Sequence, residues 1–207
     1  MTSAPRGTRS DGQRSRGAIL AAATALASVD GLSGLTIGRL AARAGMSKSG
    51  LYAHFGSKEE LQLAAIAEAE AVFEREVLAP AREQPAGVRR ICAQTDAYLD
   101  YLERRVFPGG CFFAATSAEL GGHEGAVGDR LRALNAAALR DLVEQLRIAR
   151  DAEEIDATSD VEQLAFEIDA LMLAAHSAFL LFSDGADLDR ARQGVLARLG
   201  RNRGLES

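Results

Sequence analysis

Residues Thr36–Ile66, TIGRLAARAGMSKSGLYAHFGSKEELQLAAI, constrain the fold more tightly than any other stretch of this 207-residue chain. Thr36 is positioned to N-cap a helix, its hydroxyl accepting a backbone N–H that the first turn leaves unpaired. Ile37, Leu40, Ala41 and Ala44 then fall on one helical face. Gly45 follows, where a helix ends cheaply in a left-handed residue. Met46 is apolar and turns back to the core, and Ser47 caps a second helix that buries Leu51 and ends near Phe55 and Gly56. Ser57 caps a third helix, and Glu60 three residues later completes a capping box.

A small residue where two helices cross (Ala41), a glycine in the turn, and a branched apolar anchor (Leu51) six residues after that glycine are the spacing of a helix-turn-helix. Lys48 and Lys58, the only lysines in the chain, each follow a capping serine at the first position of a helix. A cation there opposes the helix dipole at a cost of about 0.3–1 kcal/mol. The placement makes sense where the helix tip faces an anion, because N–H groups, a serine hydroxyl and an ammonium together cradle a phosphate. On a helix surface of no particular function the same two lysines would be solvated charges.

The run Gly38–Leu61, with Leu51-Tyr52-x-His54-Phe55 at its centre and Ser57-Lys58-Glu59-Glu60-Leu61 following, resembles the DNA-binding domain of TetR/AcrR-type transcriptional regulators. The likeness covers roughly residues 16–66. The resemblance implies that Thr36, Ser47, Lys48, Tyr52, His54 and Lys58 occupy positions that contact operator DNA, mostly its phosphates. The residues themselves suit that chemistry. Lys48 and Lys58 are point charges for phosphates, Tyr52 has a hydroxyl to donate, and Ser49 reaches a base or backbone oxygen. Gly50 leaves room for close approach, and Arg39 and Arg43 on the preceding helix add backbone contacts.

Charge supports two surfaces. Residues 1–58 hold eight Lys and Arg against two Asp, a net of +6, whereas residues 59–207 carry −11. A basic first quarter on an acidic body fits one face for a polyanion and another for something else. Alanine and leucine dominate, β-branched residues are sparse, and aromatics are 5%, which argues for helices throughout. The expected fold is all-α, about nine helices: a disordered basic tail at 1–15, a three-helix helix-turn-helix domain at 16–62, and a larger helical effector-binding and dimerisation domain at 63–203. Within the tail, Arg6, Arg9, Arg14 and Arg16 read either as an arm on DNA or as solvated charges. Cys92 and Cys111 are too few for a disulfide framework. The longest apolar stretch, Leu171–Phe182, is interrupted by His176 and Ser177 and too short for a bilayer, so the expected location is cytoplasmic, with no membrane.

The body reads as helices at about 57–78 with Pro80 beyond, 86–106, 111–120 closed by Gly121-Gly122, 124–150, 159–182 with Ser159 as cap, and 187–201. The helix ending at Phe182 is apolar on more than one face and must be covered all round. Either it is a central core helix, or it joins the last helix in a symmetric four-helix interface with a second copy. In the second case Leu173, Ala174, Ala178 and Leu181, with Leu188, Ala191, Val195 and Leu199, form a homodimer interface, and the resemblance implies the same dimer. It also implies a small-molecule pocket in the body whose effector, apolar by its lining, releases the DNA. Phe73, Phe112, Phe113, His176 and Phe179 are candidate lining residues, or else plain core. A dimer would present its recognition helices to a palindromic double-stranded operator with half-sites about 34–36 Å apart.

Enzymatic chemistry finds no foothold. His54, His123 and His176 are far apart and match no metal spacing, and neither a GxSxG elbow nor a phosphate loop occurs. No catalytic residue, metal or cofactor is expected. The competing reading is a helical small-molecule-binding protein or enzyme without sequence-specific DNA binding, against which the intact Ser47-Lys48 and Ser57-Lys58 pairs speak.

Overall fold

The computed structural model describes residues 7–120 and 124–200. Every regular element among them is helical. In chain order these are α1 (Gly7–Gly34), α2 (Ile37–Ala44), α3 (Lys48–Phe55), α4 (Lys58–Phe73, a π-helical turn Glu74–Leu78 and a last turn Ala79–Arg82), α5 (Val88–Glu103), α6 (Phe112–Leu120), α7 (Ala126–Asp151), α8 (Val161–Phe182) and α9 (Gly185–Arg198). Arg6, the Gly121-Gly122 stop, His123 and residues 201–203 lie outside the described residues.

Three expected boundaries shift, each for a local reason. Residues 7–15 are helical rather than unstructured. No proline falls between Gly7 and Gly34, and lengthening a formed helix avoids the cost of nucleation. Pro80 does not end α4 but lies inside it. A proline in a helix removes one N–H and crowds the carbonyl four residues back, and the chain answers with the wider π turn at Glu74–Leu78. The cap of α8 is Asp160, not Ser159: its carboxylate accepts the Gln163 amide at 3.0 Å.

Buried side chains form two clusters. The larger runs without a break from Ile19, Leu40, Leu51 and Phe55 through Leu61 and Ile66 into Leu99, Tyr101 and Phe112. The smaller joins Val88, Ile91, Leu146, Ile168 and Val195 at the far end. The first three helices therefore share a core with the body through α4 and α1, and α1 packs on both α4 and α6.

The closest approach at that junction is between α1 and the loop before α6. Gly109 donates its N–H to Ser28 Oγ at 3.1 Å, and a Cβ on Gly109 would lie 1.9 Å from the Ser28 carbonyl oxygen. Both colliding groups are backbone, so neither can swing away. Gly109→Ala is expected to cost about 3 kcal/mol, at the upper end of overpacking, a fall in Tm of about 6–12 °C. An unchanged melting curve would mean that the loop and α1 do not touch.

Candidate nucleic-acid interface

The short helices α2 and α3 and the long α4 each have the cap read from the sequence. Thr36 Oγ1 accepts the Arg39 amide at 3.3 Å, Ser47 Oγ the Gly50 amide at 3.1 Å, and Ser57 Oγ the Glu60 amide at 3.0 Å. The return arm of the capping box is absent: Ser57 N–H goes to the Phe55 carbonyl at 2.6 Å. Gly45 sits in the left-handed region at φ 64°, ψ 29°, and Met46 N–H reaches back to the Ala41 carbonyl at 2.9 Å. That geometry closes α2 and sets the crossing of α3. Leu40, Ala41, Leu51 and Phe55 are buried, which leaves Lys48, Ser49 and Tyr52 facing outward, Tyr52 with 53% of its surface exposed.

Both lysines lean toward the start of α2. The Lys48 chain lies over Gly38, its Cε 3.3 Å and Nζ 3.7 Å from where a Cβ would stand. Lys58 Nζ donates to the Ser33 carbonyl at 2.9 Å. One ammonium group is thus placed beside the second residue of α2 and the other beside the turn that precedes it, and each lysine begins a helix whose N-terminal partial positive charge adds to its own. Lys58 is held rather than free, but an ammonium has three donors and one bond leaves two. Arg43 is exposed, and no carboxylate among the described residues pairs with it or with Lys48. Ser49 shares a 3.1 Å hydrogen bond with Ser47.

Some site residues have other work. Arg39 does not project to a partner; it is tied to Asp30 at 2.7 Å and to the Gly34 carbonyl at 3.3 Å. Gly50 makes room for the chain itself, since a Cβ there would press on the Ser47 cap hydroxyl at 3.2 Å. His54 is half-buried, its ring 6.2 Å from that of Phe55. Gly38, over which Lys48 folds, went unremarked in the sequence. Arg16, read from the sequence as part of an arm or as a solvated charge, donates to the His54 carbonyl at 2.5 Å and lies 4.5 Å over the Phe55 ring. It fastens the end of α3 to α1 instead of extending as an arm.

The turn before α2 is also held from the body. Gly31, at φ 73°, lets the chain bend so that Leu32 and Ser33 donate their N–H groups to the Glu119 carboxylate, both at 2.7 Å. Gln62 Nε2 donates to the Leu32 carbonyl at 2.6 Å.

In the body the candidate pocket residues divide. Phe73, Phe112 and Phe113 meet in one aromatic cluster with Tyr98, Tyr101 and Phe107, ring centroids 5.4–6.2 Å apart. His176 and Phe179 lie elsewhere. His176 Nε2 is 3.4 Å from the Gly109 carbonyl, and burial pulls its pKa down against the pull of that carbonyl. The Arg105 guanidinium covers Phe179 at 5.1 Å. His176 and Phe179 thus make no ring contact with the cluster, although Phe179 shares its buried core and His176 stands against Gly110. Two shallow concavities lie outside the cluster: an open one of about 320 Å³ bounded by Phe166, Ala170, Leu171 and Arg198, and one of about 50 Å³ near Cys92 and Arg192.

The dimer candidates divide as well. Leu173 and Leu181 are exposed, at 51% and 75%, Ala174 is exposed, and Ala178 is half-buried. They continue a stripe with Phe166 and Ala170 along the outer face of α8. Leu188, Ala191, Val195 and Leu199 are instead buried within the chain. α9 has a single apolar stripe, and α8 and α5 occupy it. Its remaining faces carry ion pairs such as Arg192 with Asp96 and Arg198 with Glu167. By length and composition α8 is also apolar enough to cross a bilayer, though its inner face is in the core.

Two family models match the sequence. The one described as bacterial regulatory proteins, tetR family, covers residues 19–65, and the one described as tetracyclin repressor-like, C-terminal domain, covers 87–195. No curated protein sequence matches. Among solved structures, a TetR transcriptional regulator from Chloroflexus aurantiacus is similar over 93% of this chain and 98% of its own, at 27% identity and a TM-score of 0.84. A TetR-family transcriptional regulator from Streptomyces coelicolor is 26% identical over 92% of this chain and 95% of its own, with a TM-score of 0.75. AibR, solved in complex with isovaleryl coenzyme A and operator DNA, shares the fold at 22% identity over 88% of this chain and 97% of its own, with a TM-score of 0.71.

Proposed function

Because the chain belongs to the TetR family of bacterial regulatory proteins, and so is a DNA-binding transcriptional regulator rather than an enzyme, we propose that it is a repressor that holds a palindromic operator as a homodimer and lets go when a small, mainly hydrophobic effector enters its body. In this reading DNA binding belongs to residues 16–62, effector binding and dimerisation to 63–203, and the work is cytoplasmic. The observation that carries it is the convergence of Lys48 and Lys58 on the start of α2, beside the exposed face of α3.

The operator contacts divide by chemistry. Thr36, Ser47, Lys48, Tyr52 and Lys58 serve phosphates, with Arg43 at the end of α2 adding another. Ser49 is the side chain best placed for a base edge. His54 contributes chiefly by packing on Phe55. AibR, crystallised with a coenzyme A ester and operator DNA on one protein, is a precedent for the pairing of small molecule and DNA. Contact from the body to the reading head would run through Glu119, which holds the turn before α2. An effector acts only by preferring the arrangement that DNA does not.

Selection of bound sequences from random duplexes tests the reading. A palindrome with half-sites about 34–36 Å apart is expected; no enrichment, or a single unrepeated site, would overturn it. Arg16 gives a second test. Since it positions α3, Arg16→Gln should weaken operator binding about ten- to a hundredfold, the worth of one charge-assisted hydrogen bond, with the dependence on salt unchanged. A shallower salt dependence would make Arg16 a phosphate contact instead.

A further inference from the structure

We infer that the effector is an uncharged aromatic molecule carrying one hydrogen-bonding oxygen, seated where Phe73, Tyr98 and Phe113 now close on one another and bonded to the Tyr101 hydroxyl. This rests on the effector-responsive reading above and names the chemistry of its ligand.

Tyr101 is the starting point. It is 1% exposed, and its hydroxyl is the one buried side-chain polar atom among the described residues that makes no hydrogen bond of good geometry: the Phe112 N–H is directed at its oxygen, and nothing accepts its proton. Other buried polar groups are satisfied: Ser28 by the Ala25 carbonyl, Thr116 by Phe112, and, at the far end, Gln145 by the Gly87 amide. An orphaned hydroxyl is a standing cost, and a phenylalanine would fill the same space without it. A ligand oxygen removes the cost.

The surroundings suit an aromatic ring. Phe73 meets Tyr101 and Phe113 edge to face, each at 5.8 Å, and Tyr98 lies nearly parallel to Tyr101 at 6.1 Å. Tyr101 and Phe112 are fully buried and form a floor. Phe73 and Phe113 are only partly buried, so their rings can turn outward and admit another ring, while the Tyr98 hydroxyl stays inside against the Cys111 thiol.

The charge of the ligand follows from the same place. Burial pushes up the pKa of Tyr98, Tyr101 and the Cys111 thiol, each by desolvation first. A ligand carboxylate would bear the same penalty. It would find no ammonium, since no lysine follows Lys58, and the guanidinium–ring contacts of the described residues are on Phe55 and Phe179. A neutral thiol is also a poor nucleophile, so binding is reversible.

The protein reports on this site by itself. It has no Trp, and of its three tyrosines two, Tyr98 and Tyr101, are in the cluster. Full-length protein is titrated with acetophenone, ethylbenzene and benzoate while tyrosine emission and Tm are followed. Acetophenone should change the emission, raise Tm and bind about three- to tenfold tighter than ethylbenzene, the worth of one hydrogen bond. Benzoate should do neither. Tyr101→Phe should melt no lower than wild type and lose the preference for the ketone, while Tyr98→Phe keeps it. Retained preference in Tyr101→Phe, a marked loss of its stability, equal binding of benzoate, or no response to acetophenone each overturns the inference. Duplex binding is measured in the same samples without probe. Intact duplex binding with no acetophenone response sinks only the ligand assignment, whereas absent duplex binding by wild type sinks the regulator itself.

Discussion

Leu181→Glu turns the protein into monomers in sedimentation velocity at micromolar concentration and weakens operator binding by more than about a hundredfold, because each monomer keeps only half of the phosphate contacts. The expectation follows from the outer face of α8. Leu181, Phe166 and Leu173 are 75%, 66% and 51% exposed on that face, with Ala170 and Ala174 between them at helical spacing. Covering each large side chain is worth about 1.5–3 kcal/mol, and nothing among the described residues covers them. A two-fold interface sets each residue against the same patch of its partner. A glutamate there meets a second glutamate in a desolvated setting, which costs far more than the lost leucine contact. Melting should change little, since the site is on the outside of the monomer. An undiminished dimer would move the interface to another face.

Lys48→Ala combined with Lys58→Ala is expected to lower operator affinity on the order of a thousandfold at 0.1 M salt, if each lysine of a dimer holds one phosphate and releases about 0.9 counterion. Neither side chain supports the fold. Lys48 is exposed and lies across Gly38, and Lys58 bonds an exposed carbonyl, so the melting temperature should barely move. Removing the two cations from helix N-termini even relieves about 0.3–1 kcal/mol of dipole repulsion at each. Lower affinity with equal or greater stability is the signature of charges kept for a partner.

How much of this was legible beforehand depended on the range of the interaction. The caps at Thr36, Ser47 and Ser57, the left-handed Gly45 and the buried Leu51 are set by neighbours within four or five residues, and the structure has all of them. Periodicity also found the apolar faces, but it does not say what covers them. Leu188 and Leu181 looked alike in the sequence; among the described residues one is covered by its own chain and the other stays 75% exposed. Pairings across the fold were out of reach. Arg16 against His54, Glu119 against Leu32 and Ser33, and Arg39 against Asp30 needed α1 in place first. Tyr98 and Tyr101 were missed because an inward tyrosine reads as polar, and only packing reveals that its hydroxyl is buried. Phe73, Phe112 and Phe113 do come together, but His176 and Phe179, equally apolar in setting, are drawn to the Gly109 loop and Arg105.

At the centre stands the grip of two serine-capped, lysine-bearing helix tips on the DNA backbone. The direct measurement is operator affinity against salt concentration for wild type and for the double lysine variant. The slope of log affinity on log salt should be shallower in the variant by about 3.6, four phosphates at 0.9 each. Parallel lines, with the affinity loss the same at every salt concentration or absent, would contradict the account.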